Sequence, residues 1–274
     1  MTQTVAQGSL SPTHQRALQR AFDLLEAQDF AAGLAENLGQ PANRVLRMMP
    51  RRAGLRLNRI VEIAMLNCLK LAINSLERSP KRKPALRASS ILAGITGGVS
   101  GFFGLPALAL ELPVTTTLML RGIADVARYH GEDLSRLEAR LACIEVFALG
   151  ARKSKDQPGV GYYASRAFLS RLIDDASTFV IERGATNASA PVIRSVVAEI
   201  AARFGIVVSE RVAAGALPVV GAFGGATVNV IFMNHFQRVA RGHFAIRRLE
   251  RQYGAERVKH YYEGLALRRQ KLEA

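Results

Sequence analysis

Tryptophan is absent from this chain of 274 residues, and aromatic residues make up only 7% of it. Alternating β-branched runs joined by Asn-Gly or Asp-Gly turns are also missing, so no β-hairpin is indicated. Ala, Leu, Arg and Glu, which are strong helix formers, are abundant instead. We therefore predict an all-α fold, a multi-helix bundle that includes two Gly-rich apolar helical hairpins.

Motifs that would signal catalysis or metal binding are missing as well. The chain has neither a Gly-x-x-x-x-Gly-Lys-Ser/Thr loop nor a His-Glu-x-x-His pair. His235 and His243 lie eight positions apart, which is a poor spacing for a metal pair on one helix. Cys68 and Cys143, the only cysteines, lie in apolar helical stretches and are predicted to be buried, reduced thiols. We expect no metal, no cofactor and no enzyme of a recognisable class.

Acidic residues are scarce relative to basic ones, with 22 Asp and Glu against 37 Lys and Arg and a formal net charge of +15. Such a balance indicates an anionic partner, either nucleic acid or the lipid headgroups of a cytoplasmic leaflet. A genome rich in G and C would raise the Arg content too. The basic residues that flank the apolar stretches described next are predicted to bind an anionic surface: Lys81, Arg82, Lys83, Arg87, Arg238, Arg241, Arg247 and Arg248.

Two long stretches carry no Asp, Glu, Lys or Arg, at positions 88–110 and 212–237. Each contains a proline that disfavours a straight helix, Pro106 in the first and Pro218 in the second. A broken helix or re-entrant hairpin is therefore favoured over a membrane span. Glycines recur every three or four positions and are predicted to allow close helix packing: Gly94, Gly97, Gly98, Gly101, Gly104, Gly221, Gly224 and Gly225.

A few polar residues interrupt or adjoin these apolar stretches. Glu111 lies between two leucines and needs a partner if it is buried. Arg121 is the candidate partner if the chain turns at Pro113, and Arg121 is also spaced to pair with Asp125. With residues from the second stretch, the predicted buried polar cluster comprises Glu111, Arg121, Asp125, Asn229, Asn234 and His235. Both a structural ion network and a functional polar site fit this pattern.

Periodicity and capping signals divide the chain into helices. Residues 1–40 are predicted to form a flexible segment and one amphipathic helix that begins at Ser11-Pro12. Residues 41–274 are predicted to form one helical domain. Its helices are expected near 54–76, from Pro113 onward, at 134–152, 162–183 and 190–204, in a basic segment after 237 and after Gly254, with a loop at 153–161.

Several of these segments resemble the EcsC protein family. The likeness covers roughly 53–253 and is carried by Ser100-Gly-Phe-Phe-Gly-Leu-Pro106, Glu111-Leu-Pro113, Leu120-Arg-Gly-Ile-Ala-Asp-Val-Ala127, Gly131-Glu-Asp-Leu134, Leu141-Ala-Cys-Ile-Glu-Val-Phe-Ala-Leu-Gly150 and the stretch from Leu217-Pro218 to Asn229. The resemblance implies that 41–274 is an EcsC-like helical domain. The family is named for a neighbour of an ABC-transporter operon and brings no catalytic residues with it.

The pattern as a whole favours a membrane-associated helical protein, accessory to a transporter or active in membrane organisation. The first thirty residues contain no signal-peptide pattern, because the apolar run at 21–25 is short and includes Asp23. We therefore expect the cytoplasmic side of the inner membrane, with the chain peripheral or re-entrant. The alternative is a cytoplasmic α-helical protein whose basic surface binds an acidic partner or nucleic acid. An enzyme acting on lipids or peptides through Glu111, Arg121 and His235 is the least favoured hypothesis.

Overall fold

The computed structural model describes residues 9–27, 59–66, 104–152, 160–183, 191–215 and 221–273, and all regular secondary structure in these ranges is helical. Eight helices fall within them: α1 (Pro12–Leu25), α2 (59–66), α3 (Gly104–Tyr129), α4 (Leu137–Leu149), α5 (Val160–Arg183), α6 (Pro191–Gly215), α7 (Gly221–Tyr253) and α8 (Ala255–Glu273). The prediction of an all-α bundle is confirmed. Among the described residues, no helix combines the length and the apolar character that crossing a bilayer requires.

Helix α7 is the central element of the bundle, and α1, α3, α4, α6 and α8 all pack against it. Where α4, α6 and α7 meet, an aromatic cluster fills the core. Phe147 and Phe204 have ring centroids 4.7 Å apart, and Phe236 lies within 5.5 Å of both. These rings are 0–1% exposed, so they bury large apolar areas that stabilise the three-helix junction.

Local signals explain where several helices begin and end. Ser11 caps α1 by accepting a hydrogen bond from the His14 amide at 3.3 Å, as the Ser-Pro sequence predicts. Gly131 adopts a φ of 84° beyond α3, and the Glu132 amide donates to the Ala127 carbonyl. This is the Schellman arrangement that ends helices at glycine. Gly254, with a φ of 86°, separates α7 from α8 at the predicted position.

Three predicted boundaries are wrong by more than three residues. Pro113 does not begin a helix but lies inside α3, whose buried face packs on α7 and offsets the lost backbone hydrogen bond. The helix predicted at 190–204 continues through Gly205 to Gly215, since Val207 and Val208 are buried beyond that glycine. The basic segment after 237 is not a separate helix, because α7 runs unbroken from Gly221 to Tyr253.

The predicted Gly-rich hairpins fall mostly outside the described residues. Pro106 lies in the first turn of α3, where its missing amide donor has no intrahelical acceptor to lose. The predicted break at Leu217-Pro218 lies outside the described residues, between the end of α6 and the start of α7. Most of the helix predicted at 54–76 and of the loop at 153–161 is also outside them. The described part, 59–66, is helical as expected.

Candidate functional site

Three helices contribute polar side chains to one column that runs from the surface into the core. The residues recur at helical spacing, three, four or seven positions apart on each helix, so that each set shares one face. The column consists of Glu138 and Glu145 on α4, Tyr162 and Arg166 on α5, and His243, Arg247 and Glu250 on α7.

The inner end of the column is a buried triad of Glu145, His243 and Tyr162, each no more than 1% exposed. The Tyr162 hydroxyl lies 3.1 Å from Nδ1 of His243, which is hydrogen-bond distance. On the other side of the ring, Nε2 of His243 lies 3.7 Å from Oε2 of Glu145, which is too long for a hydrogen bond. Within the described part of the chain, Glu145 Oε1 and His243 Nε2 have no hydrogen-bond partner.

Burial favours the neutral forms of both Glu145 and His243. Desolvation raises the pKa of Glu145 to about 7, against the opposing effect of the Arg166 and Arg247 charges. Desolvation also lowers the pKa of His243 well below its ordinary value, and the same two arginines add to that effect. Below pH 7 a mostly protonated carboxyl therefore faces a neutral imidazole, and the two groups do not form an ion pair.

Above the triad, Arg166 and Glu250 form a two-pronged ion pair between α5 and α7. Nη1 and Nη2 of Arg166 each lie 2.6 Å from one carboxylate oxygen of Glu250. The Tyr163 hydroxyl donates to the same carboxylate at 3.3 Å. Paired N–H···O contacts of this kind are the strongest hydrogen bonds available to arginine, and they fix the guanidinium plane.

Glu132, in the turn between α3 and α4, accepts hydrogen bonds from two arginines of α7. Nε of Arg247 donates to it at 2.9 Å, and Arg251 donates to the same carboxylate oxygen. A second nitrogen of Arg251 donates to the His130 carbonyl at 2.6 Å. Burial opposes ionisation of Glu132, but the hydrogen bonds and charges of Arg247 and Arg251 outweigh it and hold its pKa below the ordinary value.

A cavity of about 340 Å³ opens at the outer end of the column. Its lining is almost entirely charged: Glu132, Asp133, Arg136, Glu138, Arg166, Arg247, Glu250 and Arg251, with Gly131 and Ala139. In the described ranges, no three His, Cys, Asp or Glu side chains are grouped so as to hold a metal ion. The charged lining can recognise a charged group of a ligand through its guanidinium and carboxylate side chains.

The structure does not assemble the predicted buried polar cluster. Arg121 and Asn234 are exposed, so neither lies in an apolar cavity. Asp125 pairs with Arg128 at 3.0 Å instead of the expected Arg121. The side chain of Glu111 lies outside the described residues. Because α3 is continuous through Pro113, the chain turn that was to bring Arg121 to Glu111 does not occur.

Asn229 and His235 are buried, as predicted, but His235 has a structural role. Its Nε2 donates to the Gly150 carbonyl at 2.7 Å, and its Nδ1 accepts from Arg238 at 3.1 Å. The imidazole thus ties the end of α4 to α7 and has no free nitrogen for catalysis.

The predicted basic and glycine residues are only partly described. Lys81, Arg82, Lys83, Arg87, Gly94, Gly97, Gly98 and Gly101 lie outside the described residues, as does Cys68. Gly104, Gly221, Gly224 and Gly225 lie in the first turns of α3 and α7. Arg241 and Arg248 are exposed, Arg238 is half-buried, and Arg247 belongs to the polar column. Cys143 is buried, as predicted, and burial raises the pKa of its thiol.

Sequence reasoning missed the residues that build the column. Glu145 is the one charged residue in the run Leu141–Leu149, of which every member is buried. On α7, His243, Arg247 and Glu250 follow a spacing of four and three within a segment whose other face is apolar. A carboxylate inside a buried run and a polar stripe opposite an apolar one are the two signals that were available.

Comparison with known proteins identifies a family but no characterised relative. The model of the EcsC protein family matches residues 1–249. No curated protein matches the chain. No solved structure matches it either.

Proposed function

The chain belongs to the EcsC protein family, and we propose that it is a helical protein that binds the anionic cytoplasmic surface of the inner membrane. In this role it acts as an accessory to a transporter or in membrane organisation, without a catalytic step of its own. The observation that supports the proposal most is that two arginines on α7, the paired set, contact an internal carboxylate, whereas two others, the unpaired set, do not.

The paired set faces the turn between α3 and α4. Arg247 and Arg251, four residues apart, both donate to Glu132, so that each of them has an internal carboxylate partner. The unpaired set consists of Arg241 and Arg248, seven residues apart and both exposed. Neither has a carboxylate partner in the part of the chain that the structure describes. These two guanidinium groups are therefore available to an external anion.

Helix α8 offers a second feature that suits a membrane surface. Near its end, Leu267 is 60% exposed and Leu272 is 87% exposed. The exposed cations Arg268 and Lys271 lie beside them in the sequence. Exposed apolar residues interleaved with cations are typical of helices that lie at the boundary between headgroups and acyl chains. The net charge of +15 adds long-range attraction to an anionic leaflet.

The proposal is tested by co-sedimentation with vesicles of phosphatidylglycerol and phosphatidylcholine. The full chain is compared with the Arg241→Gln/Arg248→Gln double variant. Each basic residue near an anionic surface contributes about 1 kcal/mol, so the double variant is expected to bind roughly 30-fold more weakly. Raising the salt concentration should weaken binding of the original chain, because salt screens exposed charges.

A matched control separates a specific surface from net charge alone. Arg171 and Arg194, on α5 and α6, are exposed and have no carboxylate partner among the described residues. The Arg171→Gln/Arg194→Gln variant removes the same charge and should bind almost as well as the original chain. Equal losses in both double variants, or equal binding to vesicles of phosphatidylcholine alone, would contradict the proposed surface.

A further inference from the structure

The charged cavity at the outer end of the polar column has the dimensions of a small-molecule site. Its volume of about 340 Å³ lies at the lower end of the range found for ligand pockets. Its walls come from α4, α5, α7 and the turn between α3 and α4. The ion pairs Arg166–Glu250 and Arg247–Glu132 hold those walls together, so the shape is set before any ligand arrives.

Guanidinium N–H groups around this cavity exceed the acceptors that the protein supplies. Arg247 uses Nε and Nη2 on Glu132 and Glu138, which leaves Nη1 without a partner among the described residues. Arg251 donates from Nη1 to Glu132 and from Nη2 to the His130 carbonyl, and its Nε has no partner among the described residues. Arg136 makes one contact, from Nη2 to Glu138 at 3.4 Å. Each guanidinium carries five N–H donors, so these three lining residues keep N–H groups that no described acceptor uses.

The formal charges of the lining balance, with four arginines against four carboxylates. Four arginines meet three glutamates there, namely Arg136, Arg166, Arg247 and Arg251 with Glu132, Glu138 and Glu250. The fourth carboxylate of the lining, Asp133, lies at the exposed rim. There it accepts hydrogen bonds from the Ser135 amide at 3.0 Å and the Ser135 hydroxyl at 2.7 Å. Asp133 forms no ion pair with the lining arginines among the described residues, although its charge counts in the balance, so the case for an anion rests on the unused N–H donors.

We propose that this cavity binds one small anion of the phosphate class, held by the unused N–H groups of Arg136, Arg247 and Arg251. Phosphate oxygens suit arginine because they accept paired N–H···O bonds from a planar guanidinium. The anion is either free phosphate or the phosphate of a lipid headgroup. Only the headgroup source rests on the membrane function proposed above.

The first test is calorimetric titration of the full chain with inorganic phosphate at constant ionic strength. Arg251→Gln is expected to weaken phosphate binding at least tenfold, because it removes one charged donor. Arg171→Gln removes the same charge from an exposed position on α5 that does not line the cavity, and it should change the affinity less than twofold. If Arg251→Gln does not fold, Arg136→Gln serves instead, because the Arg136 side chain is 70% exposed.

A second variant changes the affinity in the opposite direction. Glu138 contacts both Arg136 and Arg247, and its carboxylate competes with an incoming anion for their donors. Glu138→Gln should therefore strengthen phosphate binding threefold or more. Weaker phosphate binding in this variant would mean that the Glu138 carboxylate supports the site and does not compete with the anion, and it would overturn the proposed binding mode.

Parallel measurements with glycerol-1-phosphate and with phosphatidylglycerol vesicles distinguish the two sources. Phosphate binding that depends on Arg251, with vesicle binding unchanged in Arg251→Gln, assigns the cavity to free phosphate. Glycerol-1-phosphate binding and vesicle binding that both fall in Arg251→Gln assign it to a headgroup. Arg251-independent results with all three probes overturn the cavity proposal. The Arg241→Gln/Arg248→Gln variant still decides the membrane proposal separately in that case.

Discussion

Replacing Glu145 by glutamine should change how the stability of this protein depends on pH. The Glu145 carboxyl is 1% exposed, and its Oε1 has no hydrogen-bond partner within the described part of the chain. Its pKa is raised from 4.5 to about 7 in the folded protein, with burial as the largest cause. Glutamine has nearly the same shape as the protonated carboxyl and never ionises.

The sign of the pKa shift determines whether stability rises or falls with pH. A carboxyl whose folded pKa is raised contributes most to stability below its unfolded pKa, near 4.5, and that contribution is lost as the pH rises through 7. The shift corresponds to about 3 kcal/mol between these limits. Because glutamine does not ionise, the Glu145→Gln variant does not lose this stability as the pH rises. We expect it to match the original protein near pH 5 and to exceed it by about 3 kcal/mol near pH 8.

Denaturant unfolding of both proteins between pH 5 and pH 8.5 measures the effect as a difference. His243 contributes in the opposite sense, because its folded pKa is lowered and a neutral buried imidazole costs stability as the pH falls below 6.5. That contribution is present in both proteins and cancels in the difference to first order. Glu199→Gln, at a half-exposed carboxylate paired with Arg203, is the control and should shift stability by less than about 0.5 kcal/mol at every pH. A difference between Glu145→Gln and the original protein that stays constant from pH 5 to pH 8 would refute this reasoning.

Three further substitutions test packing and buried charge, and each effect is measured as a shift in thermal or denaturant midpoint. Gly150→Ala would place its Cβ 2.4 Å from Cε1 of Phe236 and should destabilise the protein by roughly 1–3 kcal/mol. Gly264→Ala, inside α8 with no atom nearby, should stabilise it by roughly 0.5–1 kcal/mol, and a loss there would contradict the geometry. Arg152→Ala should cost about 3–5 kcal/mol, because it leaves the Glu26 carboxylate buried without its ion-pair partner. A cost below about 1 kcal/mol would mean that water reaches Glu26.

Helix positions were predictable because local signals determine them. Ser11 and Gly254 mark boundaries through capping chemistry that needs only neighbouring residues. Pro113 and Gly205 misled the boundary predictions, since each is unfavourable in an isolated helix. Packing of the surrounding apolar face outweighs that preference in the bundle, and no local rule contains the packing term.

The candidate site was not predictable by the same means, because its partners are far apart in the sequence. Glu145 belongs to the site because it faces His243, which lies on α7 and is remote from it in the sequence. The predicted cluster instead grouped polar residues by their nearness to uncharged stretches, and two of them, Arg121 and Asn234, point outward. Polarity within an apolar segment shows that a residue needs an explanation, but it does not identify the partner.

The arginines of α7 also show that the sequence does not identify the partner of a residue, and here the partner affects the proposed function. Arg241, Arg247 and Arg248 belong to one basic cluster in the sequence, and the sequence predicts that each of them binds an external anion equally well. In the fold, Glu132 takes Arg247 as a partner and leaves Arg241 and Arg248 exposed. The number of arginines on α7 therefore overstates the attraction that this helix offers a membrane. Binding should depend on which arginines lack an internal carboxylate, and so neutralising Arg241 and Arg248 should weaken vesicle binding more than neutralising any internally paired arginine.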